Sequence, residues 1–154
     1  AASDVYKRQG WVSVLIVGRI LNPRLGMAAL SGLAMGLWAV PVGINHSVAY
    51  NAGLYGLAAA TLEVPALRHV PLHTALGTAV AGVAVHLTNF AYVFGIAVAS
   101  GFVRNLNLVT FLPALRNHVL FGALGGLLGW WLWRTGRYAR MRLFVSRRRR
   151  LDDR

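Results

Sequence analysis

Long apolar runs separated by short polar breaks dominate this chain, and their length suits helices that cross a bilayer better than helices that cover a soluble core. A helix rises about 1.5 Å per residue and the hydrocarbon core of a bilayer is about 30 Å thick, so a span takes roughly 17–25 apolar residues. Met27 to Asn45, Val48 to Val64, Thr74 to about Val103, and Asn117 to Trp133 meet that length. The earlier run Trp11 to Gly18 is too short and ends at Arg19 and Pro23. It reads either as half of a spanning helix or as a short helix lying in the interface. The predicted fold is therefore all-α, a polytopic transmembrane bundle of four spans, with a truncated additional N-terminal helix under the first of those readings.

Four segments follow from the pattern. Residues 1–9 carry Ser3 to Gln9 (SDVYKRQ), which reads as linker-derived and is set apart from the fold. Residues 10–26 hold the short helix and a polar loop, 27–133 the four spans, and 134–154 a basic tail. Small residues recur at four-residue spacing on the spans: Ala28, Gly32 and Gly36; Ala52 and Gly56; Thr78 and Gly82; and two ridges on the last span, Gly122–Gly126 and Gly125–Gly129. In lipid, helices associate through close backbone approach, so these ridges predict a compact bundle. One ridge of the last span is expected to stay free for a homo-oligomer or another membrane subunit. Pro41 is expected to kink the first span.

Composition sharpens this picture. The 154 residues are 56% hydrophobic and 13% charged, with a mean hydropathy of +0.54, whereas soluble domains carry about 25% charged residues. Between Gly26 and Arg134 the only formal charges are Glu63, Arg68, Arg104 and Arg116. So few charges cannot cover a water-facing surface. The net charge of +12 does not indicate nucleic acid, because it is concentrated in Arg134, Arg137, Arg140, Arg142, Arg147, Arg148, Arg149, Arg150 and Arg154 beside an apolar span. The absence of cysteine excludes disulfides and Cys-ligated metal.

Lys and Arg near span ends remain cytoplasmic. The arginine-rich tail therefore lies inside, together with the Arg19–Gly26 and Glu63–His73 loops, in a multi-pass protein of the cell membrane. Arg104 and Arg116 dissent. Trp130, Trp131, Trp133 and Tyr138 form an interfacial belt where the last span leaves the bilayer. The tail itself is expected to contact anionic lipid headgroups.

Ionisable groups inside spans are costly, so each is a candidate site. His86 and Asn89 share one face near the middle of the third span, as a midplane polar site. His46, Asn45, Asn51, Asn117 and His118 are expected to form an outer vestibule above it, with Tyr50 and Tyr92 nearby, and with His118 shallower than His86. Glu63 and Arg68 are a candidate inner ion pair. Pro-Ala-Leu-Arg occurs twice, at Pro65 to Arg68 and Pro113 to Arg116, either as an inverted-repeat signature or as a helix-opening sequence used twice. No nucleophile elbow, zinc motif or phosphate loop is present, so no catalytic residue, metal or cofactor is assigned.

The opening of the last span, His118-Val-Leu-Phe-Gly122 followed by Gly125, Gly126 and Gly129, resembles the final span of small uncharacterised four-helix prokaryotic inner-membrane proteins. The likeness covers about 15 residues and implies a membrane location but no activity. The leading expectation is a non-enzymatic structural, assembly or lipid-associated component. The alternatives are a small transporter or channel subunit using His86 and Asn89 and, more distantly, a b-type haem protein.

Overall fold

The computed structural model describes residues 10–39, 47–101 and 108–152, with side chains for all of these except 108–110 and 138–152. All described secondary structure is helical: α1 (Gly10–Leu21), α2 (Met27–Ala39), α3 (Val48–Ala60), a 3-10 turn over Thr61–Glu63, α4 (Pro65–Arg68), α5 (Ala75–Ala99) and α6 (Leu108–Asp152). Two of these, α5 and the Phe111–Arg137 stretch of α6, are long and apolar enough to cross a membrane.

The element boundaries have local causes. Thr74 caps α5 by accepting a hydrogen bond from the Gly77 N–H at 3.0 Å, and Ser47 does the same for α3 from the Tyr50 N–H at 3.2 Å. After Ala60 the chain tightens into the 3-10 turn, and Val64 turns extended (ψ 137°) because the following proline disfavours the helical region. The α2 and α3 helices are described over 13 residues each, about 20 Å of rise; α3 stops short of its predicted end at Val64, and α2 is described only as far as Ala39. Residues 40–46, including Pro41 with its predicted kink, Asn45 and His46, lie outside the described residues.

The last helix departs most from expectation. It begins at Leu108 rather than at Asn117 and continues through the basic tail to Asp152. Arg116 and Asn117 look like a boundary in the sequence, but both are exposed. A polar side chain facing outward does not interrupt backbone hydrogen bonding. Pro113 sits inside this helix, whereas the identical Pro-Ala-Leu-Arg at Pro65 to Arg68 forms a separate single turn. One tetrapeptide therefore serves two different local structures.

Packing follows the small residues. The α2 and α3 helices form one antiparallel hairpin: a Cβ added at Gly36 would lie 2.6 Å from the Asn51 carbonyl oxygen, and one added at Gly32 would meet Tyr55 and Ala59. A second hairpin joins α5 and α6, where Gly82 faces the Gly122 backbone and Gly126 faces that of Thr78. The other α6 ridge is occupied as well. The Ser13 hydroxyl donates to the Gly125 carbonyl at 2.9 Å, and Gly129 packs on Ile16. Neither ridge is left for self-association, contrary to the sequence expectation. The reason is α1, which runs parallel to α6 and fills the second groove.

The α1 helix accordingly buries one face against the bundle, where Val12, Leu15 and Ile16 are all but fully buried, and leaves Val14 and Leu21 exposed on the other. The buried three join Ala28, Ala58, Ala59, Leu62, Ala81 and Val85 in the main core. Contacts between α3 and α5 tie the two hairpins together, helped by a hydrogen bond from the Thr61 hydroxyl to that of Thr88 at 2.8 Å. Large apolar side chains also line the outside, among them Leu30, Leu37, Trp38, Leu76, Leu120, Leu124 and Trp131. Small residues line the helix contacts, as in helices that pack through their backbones, while Leu15, Ile16, Leu62 and Val85 fill the core between them.

The α5–α6 contact gives a paired prediction. Gly82→Ala drives a methyl group into the Gly122 carbonyl and should destabilise the fold by about 1–3 kcal/mol, the usual range for overpacking. Gly95, on the same helix, has open space around it, so Gly95→Ala should be neutral or stabilise by up to about 1 kcal/mol through helix propensity. Denaturant or thermal unfolding in mild detergent compares the two.

Candidate functional site

The glycine contact brings two histidines together. His86 lies one turn beyond Gly82 on α5, and His118 one turn before Gly122 on α6. Because the helices are antiparallel, both steps lead away from the contact in the same direction. The two imidazoles meet with ring centroids 5.6 Å apart and planes at 60°. His118 is therefore not shallower than His86, as the sequence suggested. With α6 starting at Leu108, His118 lies about 18 Å along the helix from Trp130, whose indole N–H donates to the His73 carbonyl at the start of α5 at 3.2 Å.

Aromatic rings enclose the pair. Trp11 lies 5.9 Å from His86 and 5.0 Å, edge-on, from Tyr55. Phe90 lies 5.0 Å from His118 and 5.4 Å from Phe111. Polar capacity inside this lining is unused. His86 Nδ1 and Nε2, His118 Nδ1, and both side-chain polar atoms of Asn51 are buried without a hydrogen-bond partner among the described residues. Buried polar atoms are nearly always paired, and each unpaired one costs roughly 1–3 kcal/mol. Asn51 has no exposed surface and occupies the α2–α3 contact one turn before Tyr55.

The other candidates separate. Asn89 is half-buried one turn from His86, while Asn117 is exposed and faces away from the histidines. Tyr50 and Tyr92 do meet, with centroids 5.8 Å apart. Asn45 and His46 lie outside the described residues, as does Arg104. No group of three or more His, Cys, Asp or Glu that could hold a metal occurs among the described residues. A porphyrin does not fit between His86 and His118 either. A bis-imidazole haem separates its ligands by the macrocycle, whereas these rings touch and the Gly82 and Gly122 backbones meet one turn away.

Glu63 has a role that the sequence reading missed. Its carboxylate does not pair with Arg68, and accepts instead from the backbone N–H groups of Gly26, Ala28 and Ala29 at 2.7, 2.8 and 3.2 Å. It is a tertiary cap on the N-terminus of α2, where unpaired N–H groups and the helix dipole favour an anion. The available signal was an acidic residue placed near a helix start that lacks a Ser, Thr, Asp or Asn cap of its own; Gly26 (φ +85°) supplies the turn. Trp11 and the buried Arg19 were also missed, because the short run around them was discounted.

At this end of the bundle the cations gather. Arg134 lies over the Trp130 ring at 5.1 Å and Arg137 over Trp133 at 5.7 Å. Arg140, Arg142 and Arg147 to Arg150 continue along α6, with their side chains outside the described residues.

Comparison of the chain with known protein families, curated proteins and solved structures finds no match. The site is therefore interpreted from its own geometry.

The Glu63 contact yields a test. Glu63→Ala should destabilise the protein by about 2 kcal/mol, at the upper end of losses for a helix cap, and Glu63→Gln by less, since its amide oxygen still accepts. Arg68→Ala should leave unfolding in lipid-free detergent unchanged. Equal losses for Glu63→Ala and Arg68→Ala would restore the ion pair.

Proposed function

We propose that this chain is a multi-pass membrane protein in which α5, α6 and the α2 and α3 regions form four spans around a midplane His86–His118 pair, and that it acts as a small transporter or channel subunit carrying protons. One observation supports this above the others: five side-chain polar atoms of His86, His118 and Asn51 are buried with no hydrogen-bond partner among the described residues. His118 makes one interhelical hydrogen bond, to the His86 backbone, but neither nitrogen of His86 has a partner among the described residues. These nitrogens are available to water, and imidazole both donates and accepts protons. The grouping of Arg19, Arg24, Arg68 and the tail arginines toward one end supports a cytoplasmic C-terminus. The likeness of the His118 to Gly129 segment to four-helix prokaryotic membrane proteins belongs to the same proposal.

A second reading, a non-enzymatic structural or assembly component, draws on the glycine-mediated contacts of α2 with α3, α5 with α6 and α1 with α6. The two readings diverge when the site is altered. In proteoliposomes carrying an internal pH-sensitive dye and an imposed membrane potential, the wild type should acidify the lumen. His86→Phe and His118→Phe should reduce the rate at least tenfold while leaving thermal unfolding within a few degrees of wild type, and Asn117→Ala should change neither. A wild type that passes no protons, together with histidine variants that lose stability, would favour the structural reading.

A further inference from the structure

A groove of about 210 Å³ opens at the basic end of the bundle, where Arg19, Arg68 and His73 line it among apolar residues that include Ile20, Leu67 and Leu72. It lies away from the histidine pair and belongs to neither reading above. Arg19 is its unusual member. This residue stands in the last turn of α1 and is only 8% exposed. Its Nη1 is buried without a hydrogen-bond partner, and no ion pair to a described acidic residue neutralises the guanidinium. The dipole at the end of α1 favours a cation there, but it supplies no acceptor for Nη1. Arg68, exposed on α4, and His73, next to the α5 cap, add a second cation and a further donor to the same space. Glu63, the nearest acid in sequence, is engaged with the start of α2.

A guanidinium retained inside a protein without an anion calls for an anion from elsewhere, and its planar fork matches phosphate. The groove is many times larger than the roughly 10–15 Å³ that a single water requires, which leaves room for a phosphate group. The rest of its lining is apolar, and Leu21 and Leu25, next to it in the chain, are 56% and 66% exposed. The site also lies at the end marked by Trp130, Trp133 and the arginines of α6. A free phosphate has no use for apolar walls, whereas a phospholipid has both halves of the complement. The geometry points to a specific site for the headgroup phosphate of one anionic phospholipid, held by Arg19 and Arg68 and distinct from diffuse attraction to the tail.

Native mass spectrometry of the full chain in mild detergent with added phosphatidylglycerol tests this. The wild type should retain one lipid per chain. Arg68→Gln, an exposed change that should not affect folding, and Arg19→Gln should each weaken retention about tenfold, the scale of one charge-assisted hydrogen bond. A tail variant with Arg147 to Arg150 changed to Gln should keep the bound lipid, and millimolar inorganic phosphate should not displace it. Undiminished retention in both groove variants overturns the site, as does loss of lipid in the tail variant alone. Displacement by inorganic phosphate overturns the lipid assignment in favour of a free anion.

Discussion

The rest of this structure depends on the contact between the backbones of α5 and α6 at Gly82, Gly122 and Gly126. Without side chains between them the helices meet at van der Waals distance, and this sets the register of everything farther along. One turn away it places His86 against His118, and two turns away it brings Phe90 to Phe111. The neighbouring ridge on α6 receives α1 through Ser13 and Ile16, which places Trp11 over His86. A site of two imidazoles, an indole and two phenyl rings is thus a consequence of four-residue glycine spacing on a single helix.

The bundle has an apolar exterior as well as an apolar core, so little hydrophobic driving force would distinguish its inside from a surrounding lipid phase. Its cohesion comes from close contact and from a few hydrogen bonds across helices, Ser13 to Gly125 and Thr61 to Thr88 among them. Glu63 adds a charged tie between the end of α3 and the start of α2. Against that economy, the unpaired nitrogens of His86 and the unpaired amide of Asn51 stand out as a stability cost. Under the proposed proton-carrying role, such groups are kept for function where an apolar residue would pack at lower cost.

Much of this was legible in the chain. The run from Thr74 to about Val103 contained α5 (Ala75–Ala99), with the start right to one residue and the end placed about four residues too far, since an apolar stretch of spanning length is a local signal. The glycine ridges were also readable, because their spacing is a property of one helix. What they pair with was not, because which ridge meets which depends on every other helix. That is why α1, too short to be read as a span, was not foreseen as the occupant of the second α6 groove. The start of α6 was misplaced because Arg116 and Asn117 look like a boundary, and the misplacement put His118 at the wrong depth. Glu63 was paired with its neighbour in sequence, Arg68, although its partners are the N–H groups near residue 27. The vestibule expected from His46, Asn45, Asn51, Asn117 and His118 divides in the structure: His118 joins His86, Asn51 is buried in the α2–α3 contact, and Asn117 faces outward.

The central claim is that His86 and His118 form one hydrated pair inside the bundle. Water-edited solid-state NMR of histidine-labelled protein in lipid bilayers addresses it directly, and only five histidines need assignment. The account predicts a through-space correlation between the two imidazoles and rapid magnetisation transfer from water to both. Imidazoles that show no mutual contact, or that stay dry while the interfacial His69 and His73 equilibrate with water, would contradict it.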